Sequence, residues 1–241
     1  MGKLSGKRAI ITGGGSGIGL AIAERFVAEG AEVVLVGRRR DRLEAAVAAL
    51  GSRASAVSAD VSDDAQVRAM LQPFDRIDLL VTCAGDAVFG PVDLLPLAAW
   101  RTLFAGRFFG QLAACHFAVP KMPPGSAIVL CSGIAGRIGL PDYAGGAALC
   151  GAVNAMGRAL AVELAPRGIR VNVLSPGLVE GTAIESNLSG EAVAGLIETL
   201  KGRVPLGRSG TPAEMGDAAL FLATCAYATG MILDVDGGWT A

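Results

Sequence analysis

The chain has 241 residues, of which 52% are hydrophobic and 18% are charged, and its formal net charge at neutral pH is −1. This length favours one large α/β domain, the near-zero charge argues against a nucleic-acid-binding surface, and no apolar run reaches the roughly 18 residues of a membrane span. The N-terminus lacks the apolar region of a signal peptide, and five cysteines without ligand spacing accompany one histidine, so we expect a cytoplasmic protein with reduced thiols and no metal site.

Strand-like and helix-like patterns alternate along the first half of the chain. "KRAIIT" predicts a short apolar strand, "GIGLAIAERFVAEG" a helix that ends at Gly30, and "AEVVLVG" and "RDRLEAAVAAL" the next strand and helix. "RASAVSAD" and "RIDLLVTCAG" predict strands on either side of a helix at about 63–72. "LAAWRTLFAGRFFGQLAACHFAVPKM" predicts one long helix.

The second half continues the alternation. "SAIVLCS" and "IRVNVLSPG" predict strands around a helix through "ALCGAVNAMGRALAVELAPRG", and about 182–205 is interpreted as a loop-and-helix lid over a substrate. "TPAEMGDAALFLAT" begins with a Thr N-cap, Pro at the first helical position and Glu three residues after the cap. "GMILDV" predicts the last strand.

The strands are continuous apolar runs, which are typical of a parallel sheet covered on both faces. The sequence therefore predicts an α/β fold over residues 1–241. It is a single Rossmann-type, doubly wound domain with about seven parallel strands and helices on both faces.

A glycine-rich turn, "TGGGSGIG", follows the first strand and opens the first helix. Such a turn lets backbone N–H groups approach a pyrophosphate, and the helix N-terminus adds a favourable dipole. A turn that merely needs glycine is the alternative, but the strand–turn–helix context favours the phosphate site. The predicted cofactor contacts in this turn are Gly13, Gly15, Ser16, Gly17, Ile18 and Gly19.

The second strand ends in "LVGRRR", with no acidic residue to bind a ribose 2′-hydroxyl. A guanidinium binds phosphate in a bidentate manner, so Arg38 favours NADP(H), with NAD(H) as the alternative cofactor. A solvated basic helix start would explain the same residues without a ligand.

Several motifs in the same order resemble those of the short-chain dehydrogenase/reductase family, over nearly the whole chain. "TGGGSGIG" is similar to the family's TGxxxGIG, "ADVSD" to its adenine-contacting DV element, "IDLLVTCAG" to its DxLVNNAG, and "ELAPRGIRVNVLSPG" to its helix–strand–PG signature. "VPLGRSGTPAEM", "FLAT" and "VDGG" resemble its C-terminal third. The resemblance implies a homo-oligomer, either a dimer or a tetramer, and a small-molecule ligand. It also implies further cofactor contacts at Asp60, Val61, Ala84, Gly85, Pro176 and Gly177.

The family's usual mechanism uses an asparagine, a serine, a tyrosine and a lysine. Counting from "WRTLFAGRFFG", "SGIAG" and "RALAVELAPRG" places these positions, in that order, at Arg107, Gly133, Gly146 and Cys150. All four are replaced, and a phenol with an unperturbed pKa near 10 would be the proton donor that is missing. The resemblance therefore implies a degenerate site, and no catalytic residue is assigned.

The changes extend around the nicotinamide end. The family's NNAG corresponds to Thr82, Cys83, Ala84 and Gly85, and the threonine of its PGxVxT corresponds to Gly181, with Thr182 one residue late.

Other residues of this region are candidates to replace the missing groups. Ser132 is expected to point to the opposite face of its strand. Tyr143 is expected at the surface or in a subunit contact, with a position that reaches the cleft from its loop as the alternative. Cys83, Cys131 and Cys150 are expected near the replaced centre as inert structural thiols. Arg107 could supply a positive charge but no proton. His116 is expected at the surface or a subunit contact.

Three hypotheses about function stay open. The first, which is favoured, is a cofactor-binding protein without ordinary redox turnover, such as a pseudoenzyme, a sensor or a silent subunit. The second is an oxidoreductase that uses other residues, because hydride chemistry belongs largely to the cofactor. The third is a non-redox enzyme that reuses the cleft.

Overall fold

The computed structural model describes residues 2–182 and 198–241, and they form a seven-stranded sheet of order β3-β2-β1-β4-β5-β6-β7. All neighbouring strands are parallel. This confirms the predicted α/β fold with a doubly wound sheet. The strands are β1 (Arg8–Thr12), β2 (Glu32–Gly37), β3 (Ala54–Ser58), β4 (Leu79–Thr82), β5 (Ala127–Cys131), β6 (Arg170–Pro176) and β7 (Ile232–Val235).

Helices cover both faces of this sheet. Successive strand residues face opposite sides, so Ile10 lies in one hydrophobic core and Ile11 in the other, and both are fully buried. Helices α1, α2 and α7 line the core of Ile11, and α3, α5 and α6 line the core of Ile10. The helices are α1 (Gly17–Ala28), α2 (Arg40–Leu50), α3 (Asp64–Leu71), α4 (Leu97–Phe104), α5 (Gly110–Ala118), α6 (Ala144–Leu164) and α7 (Pro212–Thr224).

The predicted long helix differs from the structure. A π-helical segment, Ala105–Phe109, separates α4 from α5, and a 3₁₀ turn, Val119–Lys121, follows α5. In a π segment the backbone hydrogen bonds join residues five apart instead of four, so the directions of the side chains change relative to an α-helix. Arg107 lies within this segment. Helix α6 also begins at Ala144, before the predicted start at Ala148. The prediction placed the start too late because the first turn contains two glycines, which hide the helical pattern.

Helix α6 corrects the expectation that no segment is long and apolar enough to span a membrane. Its extended range, Ala144–Arg167, meets both criteria, with a mean hydropathy of 1.3. A core helix of a globular domain passes the same test. Here Leu149 and Val153 are fully buried on the side that packs against the sheet, and 39% of the most apolar stretch is buried, so packing against the sheet accounts for part of the apolar composition.

Helix α7 begins with the predicted capping box. The Thr211 hydroxyl accepts a hydrogen bond from the backbone N–H of Glu214 (3.3 Å), and the Glu214 carboxylate accepts one from the backbone N–H of Thr211 (2.7 Å). Arg208 donates a further bond to this carboxylate (2.7 Å). Helix α7 packs closely on α1, since a Cβ at Gly216 would lie 2.9 Å from the carbonyl oxygen of Ala21. The capping box thus helps to hold α1 in place.

We expect Glu214→Gln to lower the free energy of unfolding at pH 7 by about 0.3–1 kcal/mol, because glutamine can complete the capping box but removes the negative charge near the helix N-terminus. The hydrogen bonds from Arg208 and Thr211 lower the pKa of Glu214 from 4.5 to about 2. Because the folded pKa is the lower one, this stabilisation is complete above pH 4.5 and is lost as the pH falls towards 2. Urea denaturation across this range measures the difference. The exposed Glu24→Gln is the control, and an undiminished difference at the lowest pH would contradict the assignment.

Candidate active site

A cleft of about 890 Å³ opens where the strand order reverses, at the carboxyl ends of β1 and β4. In open α/β sheets this is the usual place for a ligand. Every residue that the sequence assigns to a cofactor lies along the cleft wall: Gly13, Gly15, Ser16, Gly17, Ile18, Gly19, Arg38, Asp60, Val61, Ala84, Gly85, Pro176 and Gly177. The predicted lid falls mainly on residues 183–197, which lie outside the described residues.

The turn between β1 and α1 forms one end of the cleft. Gly13 has a positive φ (+72°), and a Cβ there would lie 2.7 Å from the carbonyl carbon of Cys83, so only glycine fits. The Ser16 side chain makes no capping hydrogen bond, and the first turn of α1 contains no acidic residue. The first N–H groups of α1 therefore have no partner within the helix. This arrangement fits a phosphate group of a dinucleotide.

Arg38 lies in the same cleft, immediately after β2. Its guanidinium donates to Asp86 at 3.1 Å, and the two side chains are 64% and 60% exposed. An ion pair this exposed contributes little, so Arg38 remains available to a phosphate. The sequence analysis missed Asp86, although its place four residues after the end of β4, beside the reversal of strand order, could have indicated it.

The other assigned residues form the sides of the cleft. The carboxylate of Asp60 accepts hydrogen bonds from the backbone N–H (2.9 Å) and the hydroxyl (2.8 Å) of Ser62, which orient its side chain. Val61 beside it is buried. At the end of β6, a Cβ at Gly177 would lie 2.7 Å from the Cα of Asp236. Glycine at this position therefore allows two loops to meet under the cleft.

Three of the four positions that the spacing assigns to the family's tetrad, Arg107, Gly133 and Cys150, lie together at the opposite end of the cleft. Gly133 follows β5, where a Cβ would lie 3.3 Å from the sulfur of Cys150 on α6. Arg107 extends from the π segment to the same place, and its guanidinium donates to the carbonyl oxygen of Ser132 at 3.4 Å.

Tyr143 is buried in this region, so the expectation that it lies at the surface or in a subunit contact is wrong. It is 7% exposed and lines the cleft. Its ring occupies the space in front of Gly146, where a Cβ would overlap it, and it stacks on Phe89 with ring centroids 4.3 Å apart. Tyr143 immediately precedes α6, and its side chain lies over the first turn of that helix. The missing side chain of Gly146 leaves room there.

The phenol and the guanidinium affect each other's ionisation. Burial raises the pKa of Tyr143 above its usual value of 10.0, and this outweighs the opposing effect of Arg107 beside it. Burial acts to lower the pKa of Arg107, but Tyr143 and the nearby thiols together raise it. At neutral pH the pair is therefore a neutral phenol beside a guanidinium cation. The Arg107 stem lies across Gly85, where a Cβ would overlap it.

Three thiols surround the guanidinium, as the sequence predicted. Cys83 and Cys131 continue the β4–β5 register beyond Thr82 and Leu130. The hydrogen bond that Cys83 donates to Cys131, together with burial, raises the pKa of Cys83. The pKa of Cys131 is lowered because it accepts this bond and lies near Arg107, although burial opposes the shift. Burial raises the pKa of Cys150. All three are free cysteines.

Ser132 corrects the expectation that it points to the opposite face from Gly133. Its hydroxyl donates to the carbonyl oxygen of Cys150 at 3.0 Å, so both positions face α6. Strict alternation applies within a strand, and Ser132 lies beyond the end of β5 at Cys131. The hydroxyl is therefore near the centre, but its proton is used by the backbone of α6.

The remaining polar candidates lie elsewhere or are already paired. Thr82 is buried and donates to Gln111 at 2.7 Å, and Thr182 donates to the carbonyl oxygen of Val179 at 2.8 Å. His116 is exposed on α5, as expected. Within residues 2–182 and 198–241 no group of side chains suited to a metal ion is found.

Comparisons with known proteins agree with this architecture. A family model described as enoyl-(acyl carrier protein) reductase matches residues 13–240. Galactitol 2-dehydrogenase (L-tagatose-forming) of Cereibacter sphaeroides is 39% identical over 248 residues, covering 99% of this chain and 96% of that protein. "Inactive 2-(S)-hydroxypropyl-CoM dehydrogenase 2" of Xanthobacter autotrophicus is 35% identical over 229 residues, covering 91% and 100%.

A solved structure is similar over the whole fold. The crystal structure of a blue fluorescent protein from a metagenomic library, in complex with NADPH, superposes with a TM-score of 0.91 at 31% identity. The match covers 99% of this chain and 100% of that one.

We expect Gly146→Ala to destabilise the protein by about 1–3 kcal/mol, because the new methyl group would overlap the buried ring of Tyr143. Glycine-to-alanine changes inside helices are otherwise favourable by about 1 kcal/mol. Gly151→Ala in the same helix is the matched control, because a Cβ there meets nothing within 4 Å. In a Tyr143→Ala background, Gly146→Ala should become neutral or stabilising. Chemical denaturation measures the wild-type protein and the four variants, and equal effects at Gly146 and Gly151 would contradict the placement of the ring.

Proposed function

Because the chain belongs to the short-chain dehydrogenase/reductase family, we propose that it binds NADP(H) without the family's ordinary alcohol or carbonyl turnover. The supporting observation is the contrast between the two ends of the cleft. The phosphate end keeps its glycine turn and Arg38, whereas glycines and a cysteine occupy the family's serine, tyrosine and lysine positions at the other end.

Two kinds of group would bind the dinucleotide: backbone N–H groups and a charged side chain. The free N–H groups at the start of α1 would bind the pyrophosphate, and Arg38 would bind the 2′-phosphate in the absence of an acidic residue at the end of β2. The structural neighbour in complex with NADPH, which shares this fold at 31% identity, supports the same cofactor. A bound nicotinamide dinucleotide supplies hydride chemistry.

We expect Arg38→Asp to weaken NADPH binding about 10- to 100-fold, the loss of one charge-assisted hydrogen bond, and to leave NADH binding unchanged or stronger. The carboxylate would repel the 2′-phosphate and accept a bond from a ribose hydroxyl. Calorimetric titration of both dinucleotides measures the effect. Arg40→Asp makes the same charge change at an exposed residue outside the cleft lining. Equal losses for both cofactors, or the same loss in Arg40→Asp, would contradict the assignment.

The altered end of the cleft supports the proposed lack of ordinary turnover. Gly133 and Gly146 have no functional group, and burial raises the pKa values of Cys150 and Tyr143, which disfavours their ionised forms. General acid–base help contributes typically 10²- to 10⁴-fold, and groups that act together fail together. One relative is itself named as inactive.

A second candidate function is favoured by one observation. Tyr143 brings a phenol into the cleft beside the cation of Arg107, so an oxidoreductase that takes its proton from Tyr143 is the alternative. The third hypothesis, a non-redox enzyme, has no observation of its own among the described residues.

Turnover measurements separate the two candidates. With NADPH or NADH as the hydride donor, we expect the wild-type protein to reduce none of a panel of simple ketones and aldehydes above the protein-free rate. With NADP⁺ or NAD⁺ as the hydride acceptor, we expect it to oxidise no secondary alcohol. Activity that is abolished by Tyr143→Phe but not by Tyr227→Phe, at the exposed tyrosine, would establish the second candidate. Robust activity that survives Tyr143→Phe would contradict both.

We further propose a cytoplasmic homo-oligomer, either a dimer or a tetramer, that assembles through α4, α5 and α6. Phe109 and Leu112 at α5 and Val162 on α6 are exposed apolar side chains on these helices. The five cysteines are unpaired, which suits a reducing compartment. The near-zero net charge gives no support to a nucleic-acid partner, and the buried face of α6 gives none to a membrane partner.

A further inference from the structure

Arg107 brings a positive charge into the cleft with no carboxylate to balance it. No ion pair of the described residues includes Arg107. Asp60, Asp86 and Asp142 line the same cleft, yet none of them forms an ion pair with Arg107, and Asp86 is paired with Arg38. A charge withdrawn from water costs free energy unless it is paired and hydrogen-bonded.

The hydrogen-bonding capacity of this pair is also largely unused. A guanidinium has five N–H donors, and Arg107 uses one for the Ser132 carbonyl oxygen at 3.4 Å, the long end of the range. Arg107 also lies beside the Tyr143 oxygen, which leaves the phenol O–H free to donate. Two donor groups therefore face the same part of the cleft, and a matching ligand must supply acceptors.

The walls around these donors are apolar. Phe89, Leu103 and Leu140 line this end of the cleft together with the ring of Tyr143. A ligand that fits here combines a flat or aliphatic body with an acceptor-only head group. A carboxylate has two acceptor oxygens, matches the guanidinium fork in a bidentate manner and balances its charge. A neutral amide or alcohol satisfies fewer donors and leaves the charge uncompensated.

We propose that Arg107 and Tyr143 form a carboxylate-binding subsite at this end of the cleft, so that the second ligand is a small carboxylate with an apolar body. The inference rests on the proposed function in one respect: the carboxylate ligand binds in the same cleft as the proposed dinucleotide. It assigns a class of ligand that suits a substrate as well as a sensed metabolite.

Binding of matched fluorinated probes tests this proposal without any turnover. 4-Fluorobenzoate and 4-fluorobenzamide have nearly the same shape and differ in charge, and ¹⁹F NMR titration measures their dissociation constants. The titrations use protein saturated with NADPH, which would occupy the phosphate turn, the other anion site of the cleft. We expect 4-fluorobenzoate to bind at least tenfold more tightly than the amide.

Variants assign that preference to the subsite. Arg107→Met keeps an unbranched stem over Gly85 and should abolish the preference, Arg107→Lys should retain part of it, and Tyr143→Phe should reduce it. Arg101→Met removes the same charge from an exposed position on α4 and should leave the preference unchanged. Thermal unfolding verifies that each variant is folded. The wild-type comparison of the two probes tests the proposal independently of all variants.

Three results would overturn the proposal. The first is equal binding of both probes to the wild-type protein, and the second is a preference that survives Arg107→Met. The third is 4-fluorobenzoate binding that is seen in the NADPH-free protein and lost when NADPH is added, which would assign the guanidinium to the dinucleotide. Fluorescence titration of NADPH alone tests the proposed function separately. If NADPH does not bind, the proposed NADP(H)-binding function is wrong. The preference for 4-fluorobenzoate, and its loss in Arg107→Met, are then measured on protein without NADPH.

Discussion

Gly13 lies so close to the end of β4 that no other residue fits there, because a Cβ would collide with the Cys83 carbonyl group. This contact fixes the angle at which the chain leaves β1 and enters α1, at the point where the strand order reverses. It leaves the N-terminus of α1 facing the cleft with unpaired N–H groups and no acidic residue. The rest of the fold supports this geometry, from the strands buried on both faces to α7, whose Gly216 allows close contact with α1.

At the other end of the cleft, the residues around Gly146 and Arg107 form a packed arrangement. Glycine at 146 removes a side chain from the start of α6, and the ring of Tyr143 occupies that space and stacks on Phe89. Gly85 lets the Arg107 stem cross towards the same point. The result is a phenol beside a cation, supplied by two positions outside the family's tyrosine and lysine. A centre that had simply decayed would not be expected to bring these two groups together.

Much of this was predictable from the sequence, because the determining signals are local. Continuous apolar strands indicated the parallel sheet, the "TGGGSGIG" turn indicated the phosphate site, and the spacing of Thr211, Pro212 and Glu214 predicted the start of α7. Each depends on residues a few positions apart. The assignment of Arg107, Gly133, Gly146 and Cys150 to the family's tetrad positions also rests on spacing, and it stays a prediction.

The positions of several side chains were not predictable, because they depend on contacts between distant segments. Tyr143 enters the cleft because α6 begins at Ala144, and Gly145 and Gly146 conceal that start. Ser132 faces α6 because β5 has already ended at Cys131. The sequence of the π segment around Arg107, "AGRFF", contains no signal that distinguishes it from an α-helix.

A crystal structure of the protein with NADPH tests the central claim most directly, namely that the dinucleotide cradle is retained and the proton-handling end is rebuilt around Tyr143 and Arg107. We predict the pyrophosphate at the N-terminus of α1, the 2′-phosphate at Arg38, and the Tyr143 ring in front of Gly146 with its hydroxyl beside Arg107. A dinucleotide bound away from the Gly13–Gly19 turn, or Tyr143 turned out to solvent, would contradict the account.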